Sequence, residues 1–452
     1  MNIALFLIIL FGLQLFCLIV GRRASKNLKD KEDYFLAGKS IRFFPLMMTF
    51  LATQVGGGLI LGSAEEAYQY GWSVLVYPLG TSLGLIFLGL GLGKRLAQFQ
   101  VSTVAQIFEV VYRSTLLRRI ASLLSVISLF MILVAQIIAS HKFLASLGLT
   151  SPFLFIALWA ILIAYTVRGG LRAVVATDMV QAAFSALIFV LCFSFALVFT
   201  PSSSIPFSQL ENFTFLPDKL SGWLMMPLLF MIIEQDMGQR CFAGNSGRTV
   251  SKATLCAGIC TMLICIIPVF FGTLAKTAGL EIPQGTSVLI ATIISVTNPW
   301  ITALVGAAIC TAILSTSESL INAISSNLSN DFQLSLFQKK NSIQMVKMLT
   351  AMLAVLAIFC SFFFDSVLNL LIQSYALSVS CLFVPIFISL FKKKGNTLSA
   401  LFSIIFGAAA FISFKAIPLD FPKELASVFL SFGGFYIGEL ITHYRRRAIQ
   451  EV

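Results

Sequence analysis

The sequence predicts an all-helical, polytopic membrane protein, and three observations carry that reading. Long apolar runs recur down the whole chain, charge is scarce, and the stretches between runs are too short and too apolar for a soluble domain. Of 452 residues, 58% are hydrophobic and 11% charged, with a mean hydropathy of +0.94. A soluble protein carries about 25% charged residues. Thirteen runs are apolar enough to cross a bilayer, each needing roughly 20 residues. An isolated helix satisfies its own backbone hydrogen bonds in lipid, so the runs read as helices.

In chain order the predicted helices are 2–20, 43–64, 72–93, 120–147, 152–167, 173–200, 221–238, 253–275, 298–330, 345–364, 366–391, 396–415 and 423–442. A short external helix is expected within 285–297. The first run has no basic residue before it and Gly21-Arg22-Arg23 after it, the reverse of a secretory signal, so it is expected to stay as an uncleaved helix. The net charge of +12 does not describe a nucleic-acid-binding face, because Lys and Arg sit in alternate loops. With the helices placed as above, 26 of the 31 basic residues fall on one side, from Arg22 and Arg23 through Arg168 and Arg172 to Arg445. That excess marks the cytoplasmic side and puts the amino terminus outside and the carboxyl terminus inside. Nine cysteines are scattered through apolar segments; Cys256, Cys260 and Cys265 share a helix, but no CxxC pair or nearby His suggests a metal site.

Polar residues within a bilayer cost about 2.5–3.5 kcal/mol each for Asp, Lys or Arg, so each needs a reason. The second helix is interrupted at Gly56-Gly57-Gly58, beside Thr53 and Gln54. Each Gly costs roughly 1 kcal/mol against Ala in a helix interior. The triplet is open to two readings: close helix packing through small residues, or an unwound stretch whose freed carbonyls suit a hard cation such as sodium. The ninth helix carries Ser315-Thr316-Ser317-Glu318-Ser319 and Asn322, with Ser315, Glu318, Ser319 and Asn322 on one face. A single Ser or Thr hydroxyl there would bond back to its own helix; a carboxylate among so many hydroxyls asks for more. Asp178 lies six residues beyond Arg172, which leaves a salt bridge with Arg168 or Arg172 and ion binding both open. The seventh helix ends in Glu234-Gln235-Asp236, downstream of Pro227. Helices 2 and 7 are five apart and cross in opposite directions. Interrupted segments at corresponding places in two halves point to an inverted-repeat transporter with its site near the midplane. The repeats would span 43–200 and 221–391 of a single transmembrane domain, leaving 1–42 and 396–452 peripheral.

Beyond this pattern, particular motifs resemble the sodium:solute symporter family over roughly residues 30–440. The most specific is Tyr165-Thr166 followed by Gly169-Gly170-Leu171-Arg172-Ala173-Val174 and Thr177-Asp178-Met179-Val180-Gln181. Asp33-Tyr34-Phe35-Leu36-Ala37-Gly38, Ala52-Thr53-Gln54-Val55, Ala312 to Thr316 and Gln235-Asp236 with Gln239-Arg240 support it. The resemblance implies a leucine-transporter-like fold and sodium-coupled import of a small organic solute. It also implies a sodium site made by carbonyls of Ala52, Val55 and Ala312 with hydroxyls of Ser315 and Thr316. A second cation would involve Asp178 and Ser319, with Glu318 standing where relatives have serine. The solute would lie between the two breaks, near Gln54, Gln235, Asp236 and Gln373, with Gly57 letting it approach the backbone. Phe230 falls where sugar-transporting relatives place a gating tyrosine.

Other classes fit less well. An enzyme would need a nucleophile–base pair or a metal-ligand spacing, and the only histidines are His141 and His443. A channel would repeat one pore element around an axis. A transporter-like sensor would need a signalling domain, whereas five residues follow Arg447. Proton coupling through Glu318 or Asp178 is the nearest alternative to sodium. No cofactor, nucleic-acid partner or obligate protein partner is implied; the expected partners are the solute, sodium and the bilayer.

Overall fold

The computed structural model describes residues 1–26, 30–199, 206, 216–283, 285–332, 342–364, 367–392, 394–416 and 421–450. Helix α1 (Ile3–Ala24) starts where the Asn2 side chain accepts from the Leu5 amide at 3.1 Å. Short α2 (Lys31–Leu36) is capped in the same way by Asp30. The second predicted helix is two pieces: α3 (Phe43–Gln54), then a break, then a π-helical turn Gly58–Gly62 leading into α4 (Ser63–Tyr70). Then come α5 (Val76–Phe87), a π-helical turn Leu88–Leu92, α6 (Gly93–Ala97), α7 (Gln106–Tyr112) and α8 (Thr115–Ser146). The fifth and sixth predicted helices form one run, α9 (Pro152–Phe199), bent sharply at Gly170.

The second half opens with α10 (Pro217–Leu220) and a π-helical turn, Ser221–Met225. It continues with α11 (Met226–Ile233), α12 (Gln235–Ala243) and α13 (Gly247–Thr277). The expected short external helix is α14 (Val288–Val296), ahead of α15 (Pro299–Asp331). Last come α16 (Ser342–Ser361), α17 (Val367–Ser378), α18 (Val384–Ser389), α19 (Thr397–Ala416) and α20 (Lys423–Gln450).

Among the described residues, ten helices are long and apolar enough to span a membrane, and Phe43–Gln54 and Ser221–Ile233 are shorter apolar helices. Burial ranks them from centre to edge. In α15, 83% of the most apolar window is buried, against 22% in α1 and 28% in α20. So α15 is the axis, packed against α9, α8 and α1, while α19 and α20 pair with each other at the periphery. The outer helices expose large apolar side chains such as Ile8, Leu15, Phe153, Phe362 and Phe429, a surface suited to lipid.

Two motifs that are far apart in sequence meet at one end of the bundle. Gly170 has φ +53°, and a Cβ there would lie under 3.0 Å from the Tyr34 carbonyl oxygen, so only glycine fits. The Tyr34 hydroxyl donates to the Val167 carbonyl (3.0 Å), and Arg172 pairs with Asp33 (2.6 Å). Burial raises the pKa of the Tyr34 phenol and keeps it a neutral donor. Gln239 Nε2 donates to the Phe35 carbonyl at 2.6 Å, and Ile41 bridges to Gly244. Arg118 joins Glu109 (2.5 Å) and Asp331 (2.9 Å) at the far end of α15. Several independent contacts thus latch together this end, which is rich in basic loops. Towards the other end a cavity of about 480 Å³ opens, lined by Leu61, Glu65, Lys142 and Phe143 among others.

Candidate functional site

Local chemistry breaks α3. In a continued helix the Gly56 amide would bond the Ala52 carbonyl; instead it bonds Gln54 at 2.9 Å, and Val55 turns to ψ 69°. The Ala52 carbonyl is thus released from its helical partner. The Gly57 amide is taken by Gln136 Oε1 at 2.8 Å, so α8 holds the break open. Each glycine of the triplet abuts a different neighbour: a Cβ on Gly56 would meet Thr316 Oγ1, one on Gly57 the Ala139 Cβ at 2.9 Å, and one on Gly58 the Leu371 side chain. The triplet therefore serves both readings, unwinding and close approach.

The released carbonyl faces α15. Ser315 Oγ donates to Ala52 O at 3.1 Å and to Ala312 O at 2.9 Å. Thr316 Oγ1 lies 3.4 Å from Ala52 O and 3.3 Å from Ala312 O. Val55 lines a cavity of about 10 Å³ together with Ala52, Ala312, Ser315, Gln181 and Ser185, and one water-sized particle needs roughly 10–15 Å³ of such space. Four of the five residues expected to hold sodium thus line one small void, and the fifth, Thr316, lines the neighbouring cavity while its hydroxyl reaches the same two carbonyls. Carbonyl and hydroxyl oxygens suit a hard cation, and the hydroxyls can rotate to present lone pairs. Gln181 and Ser185 belong to the same surroundings and were not expected there; both follow Asp178 on α9.

The residues expected around a second cation form a different arrangement. Asp178 Oδ2 accepts a short hydrogen bond from Thr49 Oγ1 and pairs with Arg240 at 3.4 Å. Arg240 also donates to Ser319 Oγ (2.6 Å), to Thr49 Oγ1 (2.9 Å) and to the Asp236 carbonyl (3.0 Å), and it is fully buried. A guanidinium therefore lies between Asp178 and Ser319. The salt bridge considered for Asp178 forms with Arg240, and Arg172 pairs with Asp33 instead. Glu318 points elsewhere, accepting from Thr177 Oγ1 at 3.0 Å.

The second interruption falls at Glu234, whose ψ of 133° separates α11 from α12. Between the two breaks lies a cavity of about 30 Å³. Gln54, Gly56 and Gly58 line it from one break and Glu234 and Asp236 from the other, with Gln136, Tyr77 and Tyr375 closing the sides. Phe230 packs on the Tyr375 ring with centroids 4.7 Å apart.

Gly57, expected beside the solute, packs against Ala139 and Gln136 and does not line this cavity, and two expected side-chain contacts lie away from it as well. Gln235 accepts from the Val104 amide at 2.7 Å and donates to the Ser102 carbonyl at 3.4 Å, pinning the loop before α7. Gln373 is exposed and lines a separate groove of about 390 Å³ with Lys423, Glu424 and Phe411. A helix turns about 100° per residue, so Leu371 and Tyr375 share the cavity face and Gln373 is opposite. Glu234, Gln136, Tyr77 and Tyr375 take the places the sequence reading gave to those two. Gln136 carries a readable signal, a lone amide within Val134-Ala135-Gln136-Ile137.

Comparison with known proteins identifies the fold and the family. The chain is 24% identical over 428 residues to a high-affinity choline transporter of Drosophila melanogaster, covering 87% of this chain and 67% of that one. It is 25% identical to a sodium/proline symporter of Haemophilus influenzae, covering 92% and 88%. Among solved structures it is similar to a substrate-bound, outward-open Na+-coupled sialic acid symporter, with a TM-score of 0.79, 19% identity and 97% of each chain covered. That likeness establishes the leucine-transporter-like fold. Residues 34–407 match the sodium:solute symporter family, and the chain belongs to that family.

Proposed function

We propose that this protein imports a small organic solute by alternating access, driven by one sodium ion held by Ala52, Val55, Ala312, Ser315 and Thr316. The observation that carries the reading is the Ala52 carbonyl, released by the break and met by two α15 hydroxyls beside an ion-sized void. Sodium-coupled relatives along most of the chain support the choice of ion. The Arg240 guanidinium supplies the positive charge between Asp178 and Ser319, so the coupling uses a single sodium. The solute sits in the cavity between the breaks, reached from the 480 Å³ vestibule. The halves are 43–200 and 221–391, in thirteen crossings of the cell membrane, with the amino terminus outside. The latched end is then the cytoplasmic gate.

The driving force is adequate. One charge crossing ~100 mV contributes about 2.3 kcal/mol, and a tenfold sodium gradient adds about 1.4 kcal/mol. Together they sustain on the order of several hundredfold accumulation of a neutral solute. Uptake from a metabolite panel into proteoliposomes, with sodium replaced by choline at several pH values, tests this. Import should follow sodium; import that follows the pH gradient with no sodium requirement would overturn it.

A further inference from the structure

The central cavity itself states what kind of solute it takes, on the assumption that it is the solute site of a sodium symporter. Two carboxylates face it, Glu234 at 5% and Asp236 at 0% exposure. Glu234 Oε2 and both Asp236 side-chain oxygens lack a hydrogen bond of standard geometry, and the two carboxylates lie against each other, with Gln54 and the Met237 backbone as their polar neighbours. Buried carboxylates without partners are costly and call for a cation or donor. Among the described residues lining the cavity, none is Lys, Arg or His. Arg240 is close enough for its charge to act on both carboxylates, but its donors go to Thr49, Asp178, Ser319 and the Asp236 backbone carbonyl, so one guanidinium stands against three carboxylates.

An anionic solute would meet two carboxylates there and no cationic side chain among the described lining residues. Helix N-termini are the usual carboxylate sites beside broken helices, and both are taken here. The Gly57 amide is bonded to Gln136, and the first turn of α12 carries the Asp236 carboxylate. The only charged groups the cavity offers, among its described lining residues, are the two carboxylates, set among neutral hydroxyls, amides and aromatic faces. Gln54 lies beside Glu234, and the Tyr77 and Tyr375 rings supply surfaces that attract cations.

We propose that the transported solute is a small protonated amine bearing N–H donors and no carboxylate, with its ammonium group between Glu234 and Asp236. Unpartnered carboxylate oxygens ask for N–H donors, which separates this solute from a quaternary ammonium; a cavity of about 30 Å³ takes one compact head group.

The test uses purified full-length protein and thermal stabilisation, with and without sodium. The probes are methylammonium, ethanolamine and a short diamine, compared with choline, proline, acetate and glycerol. One or more N–H amines should add stabilisation only when sodium is present, and Glu234→Gln and Asp236→Asn should each weaken that amine's apparent affinity tenfold or more. In proteoliposomes, two charges should enter per solute, one from sodium and one from the amine. The amine assignment fails, and the sodium reading stands, if sodium stabilises the protein but no N–H amine adds to it. It fails equally if choline, proline, acetate or glycerol binds with sodium and is indifferent to Glu234→Gln. If sodium itself gives no stabilisation, the reading beneath the proposal fails with it.

Discussion

Replacing Gly56 by alanine perturbs the sodium site without removing any proposed ligand. A Cβ at Gly56 would lie under 3.0 Å from Thr316 Oγ1, 3.0 Å from Thr316 Cβ and 3.1 Å from Gln136 Oε1. The cheapest escape is rotation of the Thr316 side chain, which carries its hydroxyl away from Ala52 and Ala312. That forfeits one of five oxygens. A contact between a charge and a polar group is worth about 1.5–3 kcal/mol, which converts to roughly 10- to 150-fold in sodium affinity. Gly62→Ala is the matched control, since a Cβ there meets nothing within 4 Å. Sodium titrations of melting temperature for wild type and both variants give the midpoints directly. Gly56→Ala should move its midpoint upward by at least tenfold while Gly62→Ala stays with wild type. A Gly56→Ala midpoint equal to wild type would mean that sodium is bound without Thr316, and the reasoning would be refuted.

Other outcomes follow from the same geometry. Arg240→Met leaves Asp178 buried and unpaired, a loss of about 3–5 kcal/mol that should appear as a lower melting temperature and be largely recovered in the double variant with Asp178→Asn. Sodium activation of transport should show a Hill coefficient of about 1; a value approaching ~2 would argue that a second sodium binds despite the guanidinium at Asp178. Gly170→Ala puts a side chain against the Tyr34 carbonyl at positive φ, at a cost of about 1–3 kcal/mol in backbone strain alone. Its unfolding temperature should fall; an unchanged value would show that the contact between α2 and the α9 bend is dispensable.

Features local to a few residues were legible in the sequence. The glycine triplet pointed to the break because each Gly weakens a helix by about 1 kcal/mol, although the residue that leaves helical geometry is Val55 just before it. The hydroxyl-rich face of α15 pointed to its partner. The helical phase across a break was not legible. Glu234 leaves the helix and α12 restarts after it, so Gln235, expected beside the solute for its polarity next to the break, instead pins the Val104 amide. Gln373 shows the same limit within one helix: its polarity drew attention, but the cavity face belongs to Leu371 and Tyr375. The pairing of Asp178 with Arg240 spans 62 positions, and nothing in local spacing encodes a partner at that range. The family resemblance supplied the proposed sodium ligands, and the backbone supplies the reason they meet: the Gly56 amide bonds the Gln54 carbonyl and leaves the Ala52 carbonyl free.

Direct sodium binding tests the central claim most closely. Radioactive sodium binding to the purified protein should saturate and be displaced by unlabelled sodium, but not by potassium or choline. It should be lost when Ser315→Ala and Thr316→Ala are combined, with the fold retained by circular dichroism. Wild-type binding in that folded double variant would contradict the assignment of the site between the broken α3 and α15.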